Sequence, residues 1–320
     1  MARLRGSPLR SLHDITPHSA IVLVNPLAGA GRAKSAVSRV AAYFKTQNFS
    51  ADFVEPRGPG ELEHTAREAI AHGGRLVVTL GGDGTFQCVA NAALGSDATL
   101  GLLPSGGGND FAAALGIPGD PVAAAHALLH GTPRAVDVLR ARTSDGRTRC
   151  YVGGGGLGLD AETGRLASRR FRALPGAVRY VVSALWALAS FEPLEVQADL
   201  DGGSQHVRSR VLFAAVANTP SYGAGVRIAP DARVDDGLLN LVLVGALSVP
   251  QVLDLIPRIL RTGDLRRPEI RRFTARRVRL QAARPAVFHG DGEILGDAPV
   301  EIEVLPAALR VLAPASDAQR

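Results

Sequence analysis

Three short glycine clusters each follow a run of apolar residues, where the end of a β-strand is expected. Glycine lets backbone N–H groups approach an anion, and the start of a helix favours negative charge. The chemistry predicted for these clusters is therefore the binding of phosphate groups. The predicted phosphate-binding residues are Asn25, Pro26, Gly29, Gly31, Gly81, Gly82, Asp83, Gly84, Thr85, Gly106, Gly107, Gly108, Asn109 and Asp110.

The cluster from Gly81 to Thr85 is the most specific of the three. It follows the apolar run 76–80, and three glycines surround one carboxylate. We place it on a surface loop, where Asp83 can face a cation or a nucleotide and Thr85 can donate its hydroxyl to a phosphate oxygen. A helix cap after a buried strand would explain Asp83 or Thr85, but not the three glycines.

The other two clusters are less specific. Residues 25–31 do not end in the Gly-Lys-Ser/Thr of a P-loop, and tight strand-to-helix turns use glycine without any ligand. Asn109 and Asp110 in the third cluster could equally be plain helix caps. Binding is favoured because the clusters converge if their strands are parallel.

The elements that must position the clusters alternate between strands and helices. Strands are predicted at 21–24, 51–54, 76–80 and 100–103, and helices end near Phe44, Ala71 and Ala93. This alternation indicates an α/β domain with a parallel sheet and helices on both faces. In such sheets ligands bind beyond the carboxyl ends of the strands, where all three clusters fall.

After about residue 132 the pattern becomes that of a β-sandwich. Strands are predicted at 194–200, 211–216, 238–244, 278–282, 300–305 and 309–313, and helices near 162–191 and 250–261. The predicted organisation is a flexible tail (1–19), an α/β domain (20–131) that the C-terminal residues 306–320 rejoin, and a β-sandwich domain (132–305).

Composition narrows the class of protein. Hydrophobic residues make up 46% and charged residues 21% of the chain, which excludes global disorder. Cys88 and Cys150 give neither a disulfide framework nor a zinc spacing, which fits a reducing cytoplasm. The longest apolar stretch, 180–191, is shorter than the about 20 residues that cross a bilayer. A cytoplasmic protein is expected, and if its substrate is a lipid it must meet the membrane surface from the water side.

The net charge is +6, and the densest basic run lies between Arg258 and Arg284. Nucleic acid, anionic lipid or nucleotide phosphates could each use such a field. No aromatic interleaving accompanies the run, so nucleic acid is not expected as a partner. An ordinary solvated arginine surface explains it equally well.

The clusters in their order resemble the motifs of the diacylglycerol-kinase catalytic family, which includes bacterial lipid kinases and the sphingosine and ceramide kinases. Later segments resemble its further motifs, and the resemblance extends from Ile21 to Pro314. The residues that carry it are Asn25-Pro26 with the following glycines, Gly81 to Thr85, Gly106 to Phe111, Tyr222 to Gly225, Pro230 to Leu238 and Asp291-Gly292-Glu293.

The resemblance implies a kinase that moves phosphate from ATP to a hydroxyl of diacylglycerol or a similar lipid, with the ATP site between a nucleotide domain and a lipid domain. It implies Asp291 or Glu293 as the base. Asp83 is predicted as a further catalytic residue from its place in the second glycine cluster. The resemblance also implies a structural Mg²⁺ on Asp236 and the carbonyls of Arg233 and Leu238, in a network with Asp137 and Asp110. The inner membrane face is the expected place of action. Oligomeric state is left open, with a homodimer as one alternative.

Three departures from the family pattern remove contacts to ATP. Ala30 and Ala113 stand where the family often has Lys and Arg, and Gly107 stands where it has Thr. Arg32 or Lys34 are the candidates that replace the missing cation. A nucleotide-binding regulator without turnover is therefore one alternative, and an NAD kinase, whose motif resembles Gly81 to Thr85, is another.

Two further signals are set aside. Residues 153–158 fit a G-x-G-x-x-G pattern, but they lie outside the βα half, so no dinucleotide site is predicted. His126 and His130 are spaced i, i+4 without the Glu of a zinc-protease motif, so they are taken as surface histidines.

Overall fold

The computed structural model describes residues 20–159, 191–223 and 225–315. The chain divides into two units, one running to Asp137 and resuming at Ala307, the other spanning Val138–Pro306. The sequence predicted the two domain boundaries after residues 131 and 305. The predicted tail 1–19 lies outside the described residues, as does the predicted helix near 162–191 apart from its last residue.

The first unit is an α/β unit with a parallel sheet, as predicted. Its strands pair in the order β2-β1-β3-β4, all parallel, and the C-terminal end of the last strand of the chain, β15, adds to β4 in parallel. The elements are β1 (Ala20–Val24), α1 (Arg32–Thr46), β2 (Ala51–Val54), α2 (Pro59–Ala71), β3 (Leu76–Gly81), α3 (Asp83–Ala93), β4 (Thr99–Pro104), α4 (Asp110–Ala114) and α5 (Pro121–His130).

Local sequence explains these elements. All five residues of β1 are apolar and buried, as expected for a strand with strands on both sides of it. Helix α1 buries Ala33, Ala36, Val40 and Phe44, whose three- and four-residue spacing makes one apolar stripe. The carboxyl ends of β1, β3 and β4 therefore lie side by side, and each leads into a glycine cluster.

The second unit is antiparallel and β-sandwich-like, again as predicted. Its elements are β5 (Thr132–Arg142), β6 (Thr148–Tyr151), β7 (Gly154–Gly158), β8 (Leu194–Leu200), β9 (Gln205–Ala217), β10 (Leu239–Gly245), α6 (Val249–Arg261), β11 (Ile270–Ala275), β12 (Arg277–Ala282), β13 (Val287–Gly290), β14 (Glu293–Asp297) and β15 (Val300–Ala313), of which β5 and β15 also extend into the first unit. The sequence divided β15 into two strands, whereas the structure has one.

Strand β9 is the central strand of this unit and pairs with three others. It pairs with β8 along its first half and with β7 and β10 along its second half. Alternate residues point to two separate hydrophobic clusters, with Ala214 and Val216 in one and Ala215 and Ala217 in the other. Burial on both faces explains why this stretch is almost wholly apolar.

No helix in the described ranges is both long enough and apolar enough to span a membrane.

Candidate active site

The three glycine clusters meet at the carboxyl ends of β1, β3 and β4. The N–H of Asn25 donates to the carbonyl of Leu80 at 3.0 Å, and the N–H of Ser105 donates to the carbonyl of Gly81 at 2.7 Å. Each cluster is thus bonded to the strand beside it. The structure brings together all three segments that the sequence selected.

Several of the glycines allow these clusters to touch. A Cβ on Gly106 would lie 2.5 Å from the Cα of Gly82, and a Cβ on Gly29 would lie 1.9 Å from the carbonyl oxygen of Ser105. A Cβ on Gly107 would meet nothing within 4 Å. Gly29, Gly82 and Gly106 therefore serve close packing of one cluster on another, whereas Gly107 lies on their open side.

Asp83 does not lie on a surface loop, so that prediction is wrong. It is the first residue of α3, and its half-buried carboxylate accepts the backbone N–H groups of Asn109 at 2.8 Å, Asp110 at 3.3 Å and Phe111 at 3.2 Å. These N–H groups belong to the start of α4, which a negative charge stabilises. Burial raises the pKa of the Asp83 carboxyl, and the charge of Asp110 raises it further. Asp83 thus fixes the third cluster against the second.

Thr85 also faces the interior. Only 5% of the residue is exposed, and its hydroxyl oxygen accepts a hydrogen bond from the Asn25 amide at 3.0 Å. The predicted contact of this hydroxyl with phosphate does not fit that burial. Thr85 and Asn25 instead join the second cluster to the first.

Arg32, the first residue of α1, bridges the first and third clusters. Its Nε donates to the carbonyl of Gly29 at 3.1 Å, and its Nη2 donates to the carbonyl of Gly106 at 2.5 Å. Asn109 holds the same loop from the other side, since its Oδ1 accepts the Gly106 N–H at 2.8 Å. The sequence named Arg32 only as one of two replacement cations.

The turn before α1 exposes backbone donors. Gly29, Ala30 and Gly31 have φ values of 60°, 57° and 91°, and no side chain caps the helix that follows. Uncapped N–H groups at the start of a helix suit an anion such as phosphate. This part of the first unit therefore fits the predicted nucleotide phosphates.

In the second unit, Asp291 lies in the turn between β13 and β14, with a φ of 47°. Its carboxylate accepts the N–H groups of Val152 at 2.8 Å, Gly153 at 2.9 Å and Gly154 at 3.1 Å. The glycine run that the sequence set aside thus has a structural use, because a Cβ on Gly153 would lie 2.8 Å from Oδ1 of Asp291. The approach of that run to Asp291 was missed, since no local pattern connects segments so far apart in the chain.

Glu293 differs from Asp291. It is the first residue of β14 and is half-buried, and its carboxylate makes no hydrogen bond or ion pair with any residue in the described part of the chain. The Asp291 carboxylate accepts three backbone hydrogen bonds. Neither oxygen of the Glu293 carboxylate accepts one within the described residues. Of the two predicted bases, Glu293 is thus the one whose carboxylate has no partner among the described residues.

The predicted metal ligands differ in their surroundings: Asp236 is exposed and Asp137 is buried. One oxygen of Asp236 accepts the Leu238 N–H at 3.0 Å, while Arg233 pairs with Asp235 at 3.4 Å. Asp137 accepts the Ala307 N–H at 2.8 Å. Within the described residues there is no group of three or more His, Cys, Asp or Glu side chains that could hold a metal. A carboxylate with carbonyl oxygens still suits Mg²⁺, so this site stays a prediction.

Much of the basic run is neutralised by nearby acids. Ion pairs join Arg258 and Arg267 to Asp254, Arg266 to Asp264, Arg272 to Asp231, and Arg277 to Glu301 and Glu303. A separate group of arginines between residues 165 and 179, which could also contact a membrane, lies outside the described residues. The surface field is therefore weaker than the arginine count suggests.

The fold of this chain, a parallel α/β unit followed by an antiparallel sandwich-like unit, is also found among solved structures. The crystal structure of a diacylglycerol kinase from Bacillus anthracis shares this fold with a TM-score of 0.70 and 21% identity, over 93% of this chain and 97% of that chain.

Sequence comparison identifies the family. The model of the diacylglycerol kinase catalytic domain matches residues 19–141, and that of the YegS C-terminal NAD kinase beta sandwich-like domain matches residues 155–313. The diacylglycerol kinase of Mycobacterium tuberculosis is 31% identical over 293 residues, 91% of this chain and 94% of that protein. That of Bacillus subtilis is 27% identical over 302 residues, 93% and 97% of the two chains. The chain belongs to the diacylglycerol kinase family.

Proposed function

We propose that the protein transfers the γ-phosphate of ATP to a hydroxyl of diacylglycerol or a closely similar membrane lipid. The observation that carries the proposal is the meeting of three glycine clusters around the uncapped start of α1, in a chain of the diacylglycerol kinase family. Backbone donors and one arginine at that point suit a polyphosphate.

The first unit holds the nucleotide in this proposal. Asp83 and Asn109 fix the positions of the clusters, and the open face beside Gly31 and Gly107 receives the phosphates. Because phosphoryl transfer depends mainly on positioning and charge stabilisation, rigid clusters of this kind are what the reaction requires.

The second unit supplies the base. The Glu293 carboxylate takes the proton of the lipid hydroxyl as the new oxygen–phosphorus bond forms, and the bond between the γ-phosphorus and the bridging oxygen breaks to release ADP. Asp291 keeps the turn before Glu293 in place through its three backbone hydrogen bonds. Mg²⁺ would supply positive charge to the phosphates, and Asp236 with the carbonyls of Arg233 and Leu238 would hold a structural ion.

Contact with the membrane surface is part of the proposal. Arg261 and Arg276 belong to the basic run, and neither has an ion-pair partner within the described residues. Basic residues near an anionic leaflet contribute about 1 kcal/mol each and are screened by salt. Sedimentation with anionic and neutral vesicles tests this, and equal binding to both would contradict it.

Incubation of the protein with labelled ATP and extracted membrane lipids tests the activity, and label is expected in a lipid with a free hydroxyl. The Glu293→Gln variant is the control for contaminating kinases, since it should lose the activity. Transfer to NAD instead of lipid would support the NAD kinase alternative. Nucleotide binding with no transfer to any acceptor would support the regulator.

A further inference from the structure

Arg32 occupies an unusual position for a cation. It is the first residue of α1, where the partial positive charge of the helix start repels it, and the first turn of this helix contains no acidic residue. Its side chain is exposed and reaches across to the carbonyl of Gly106. A positive side chain at such a place is explained most simply by an anion that binds beside it.

The guanidinium has donors left for that anion. Its two bonds to Gly29 and Gly106 use one N–H of Nε and one of Nη2. Arginine carries five N–H donors, so three are not committed to these carbonyls. An exposed guanidinium held by two backbone bonds is preorganised to bind phosphate with the remaining edge.

The third cluster also contains a polar group that is unpaired in the described part of the chain, next to the loop that Arg32 contacts. The hydroxyl of Ser105, the residue before Gly106, is buried and has no hydrogen-bond partner within the described residues, and only 5% of Ser105 is exposed. Buried hydroxyl groups normally have a partner. Ser105 thus has a hydroxyl for which the described residues supply no partner, directly before the Gly106 carbonyl that accepts the Arg32 guanidinium.

The other described positions near this turn provide no cation that contacts both clusters. Ala30, in the same turn, is exposed and carries no charge. Lys34 is exposed on the first turn of α1 and makes no hydrogen bond to either cluster within the described ranges. Arg39 pairs with Asp120 at 3.0 Å. Arg32 alone among these side chains contacts both clusters.

We propose that Arg32 is the residue of this chain that binds the nucleotide phosphates, in place of a cation at position 30. The inference rests on the proposed use of ATP and adds the residue that provides specificity for phosphate over the nucleoside. It also explains how the chain keeps a phosphate-binding charge although Ala30 has none.

The test measures binding of ATP and of adenosine separately, by titration calorimetry, in the wild type and in the variants Arg32→Ala and Arg32→Gln. Loss of the charged contact should weaken ATP binding by about 10- to 100-fold and leave adenosine binding within about twofold. The matched control is Lys34→Ala, which should bind ATP like the wild type. Adding Ala30→Lys to Arg32→Ala should restore most of the ATP affinity, because the new ammonium lies in the same turn.

The outcomes separate this inference from the proposed function. Unchanged ATP affinity in Arg32→Ala, or an equal loss for ATP and adenosine, would overturn the role of Arg32 even if the wild type phosphorylates lipid. The expected ATP-specific loss with rescue by lysine would support it even if the wild type shows no transfer to lipid.

Discussion

The carboxylate of Asp291 lies directly against the backbone of Gly153. Oδ1 accepts the Gly153 N–H at 2.9 Å, and a Cβ at residue 153 would stand 2.8 Å from the same oxygen. This contact joins residues 138 positions apart in the sequence and fixes the turn that precedes Glu293. It also assigns different tasks to two carboxylates that the sequence could not tell apart.

Replacing Asp291 should lower stability. In Asp291→Ala, three backbone N–H groups lose their acceptor, and we expect the free energy of unfolding to fall by about 2–4 kcal/mol. Urea unfolding measures this directly. Glu293→Gln, two residues away, should unfold like the wild type, and equal losses in both variants would contradict the division of tasks.

Replacing Glu293 should lower the rate of the reaction. If it is the base, Glu293→Gln should reduce kcat by roughly 10²–10⁴ with little change in the KM for ATP. Steady-state kinetics with labelled ATP and the accepted lipid provide the measurement. Glu195, an exposed glutamate on β8, offers the control, and Glu195→Gln should retain full activity. If the kcat of Glu293→Gln is close to that of the wild type, Glu293 is not the base.

The raised pKa of Asp83 has a consequence for stability. The folded protein binds this proton more tightly than the unfolded chain, whose carboxyl has the ordinary pKa of 3.8. The contribution of Asp83 to stability is therefore fully present below pH 3.8 and is lost as the pH rises through the raised pKa. The stability of Asp83→Asn relative to the wild type should accordingly improve as the pH rises over that range.

Asp120 supplies a control of opposite sign for that experiment. The N–H of Ala123 donates to its exposed carboxylate, and the Arg39 guanidinium donates to it as well, so the pKa of this carboxyl is lowered. Its contribution is present above the ordinary value and lost as the pH falls. Asp120→Asn should thus become less stable relative to the wild type as the pH rises. Urea unfolding at a series of pH values measures the free energy of unfolding of each variant relative to the wild type. If this difference changes with pH in the same direction for both variants, the prediction is wrong.

The packing of Gly106 on Gly82 predicts a sharp difference between neighbouring glycines. Gly106→Ala forces the two backbones apart and should cost about 1–3 kcal/mol, with weaker ATP binding. Gly107→Ala meets no atom within 4 Å and should change stability by less than about 0.5 kcal/mol. Thermal unfolding with and without ATP compares them. Similar behaviour of the two variants would show that the clusters are not in contact as described.

Metal removal tests the role of Asp236. If this residue holds a structural Mg²⁺, a chelator should lower the melting temperature of the wild type, and Asp236→Ala should show the same lowered value with or without chelator. Asp235→Ala, which removes the ion pair with Arg233 but leaves the Asp236 carboxylate in place, should keep the response to chelator. A wild-type melting curve that chelation does not move would remove this metal site.

The sequence alone determined the order and type of most elements. The predicted strand 51–54 and the predicted strand 194–200 have the observed bounds, because short apolar or alternating runs between turn residues encode strands locally. The glycine clusters were also identifiable, since each follows a strand directly and glycine is unusual there unless backbones or ligands come close. The order of these motifs along the chain was enough to indicate the family.

Only the tertiary structure showed which carboxylates accept backbone hydrogen bonds that stabilise the fold. Asp83 and Asp291 each accept three backbone N–H groups from distant segments, 26 to 139 residues away, while Glu293 accepts none within the described part of the chain. A carboxylate has the same local signature whether its partner is a backbone amide, a metal or a substrate. The distinction arises from the pairing of strands far apart in sequence, which periodicity and spacing do not encode.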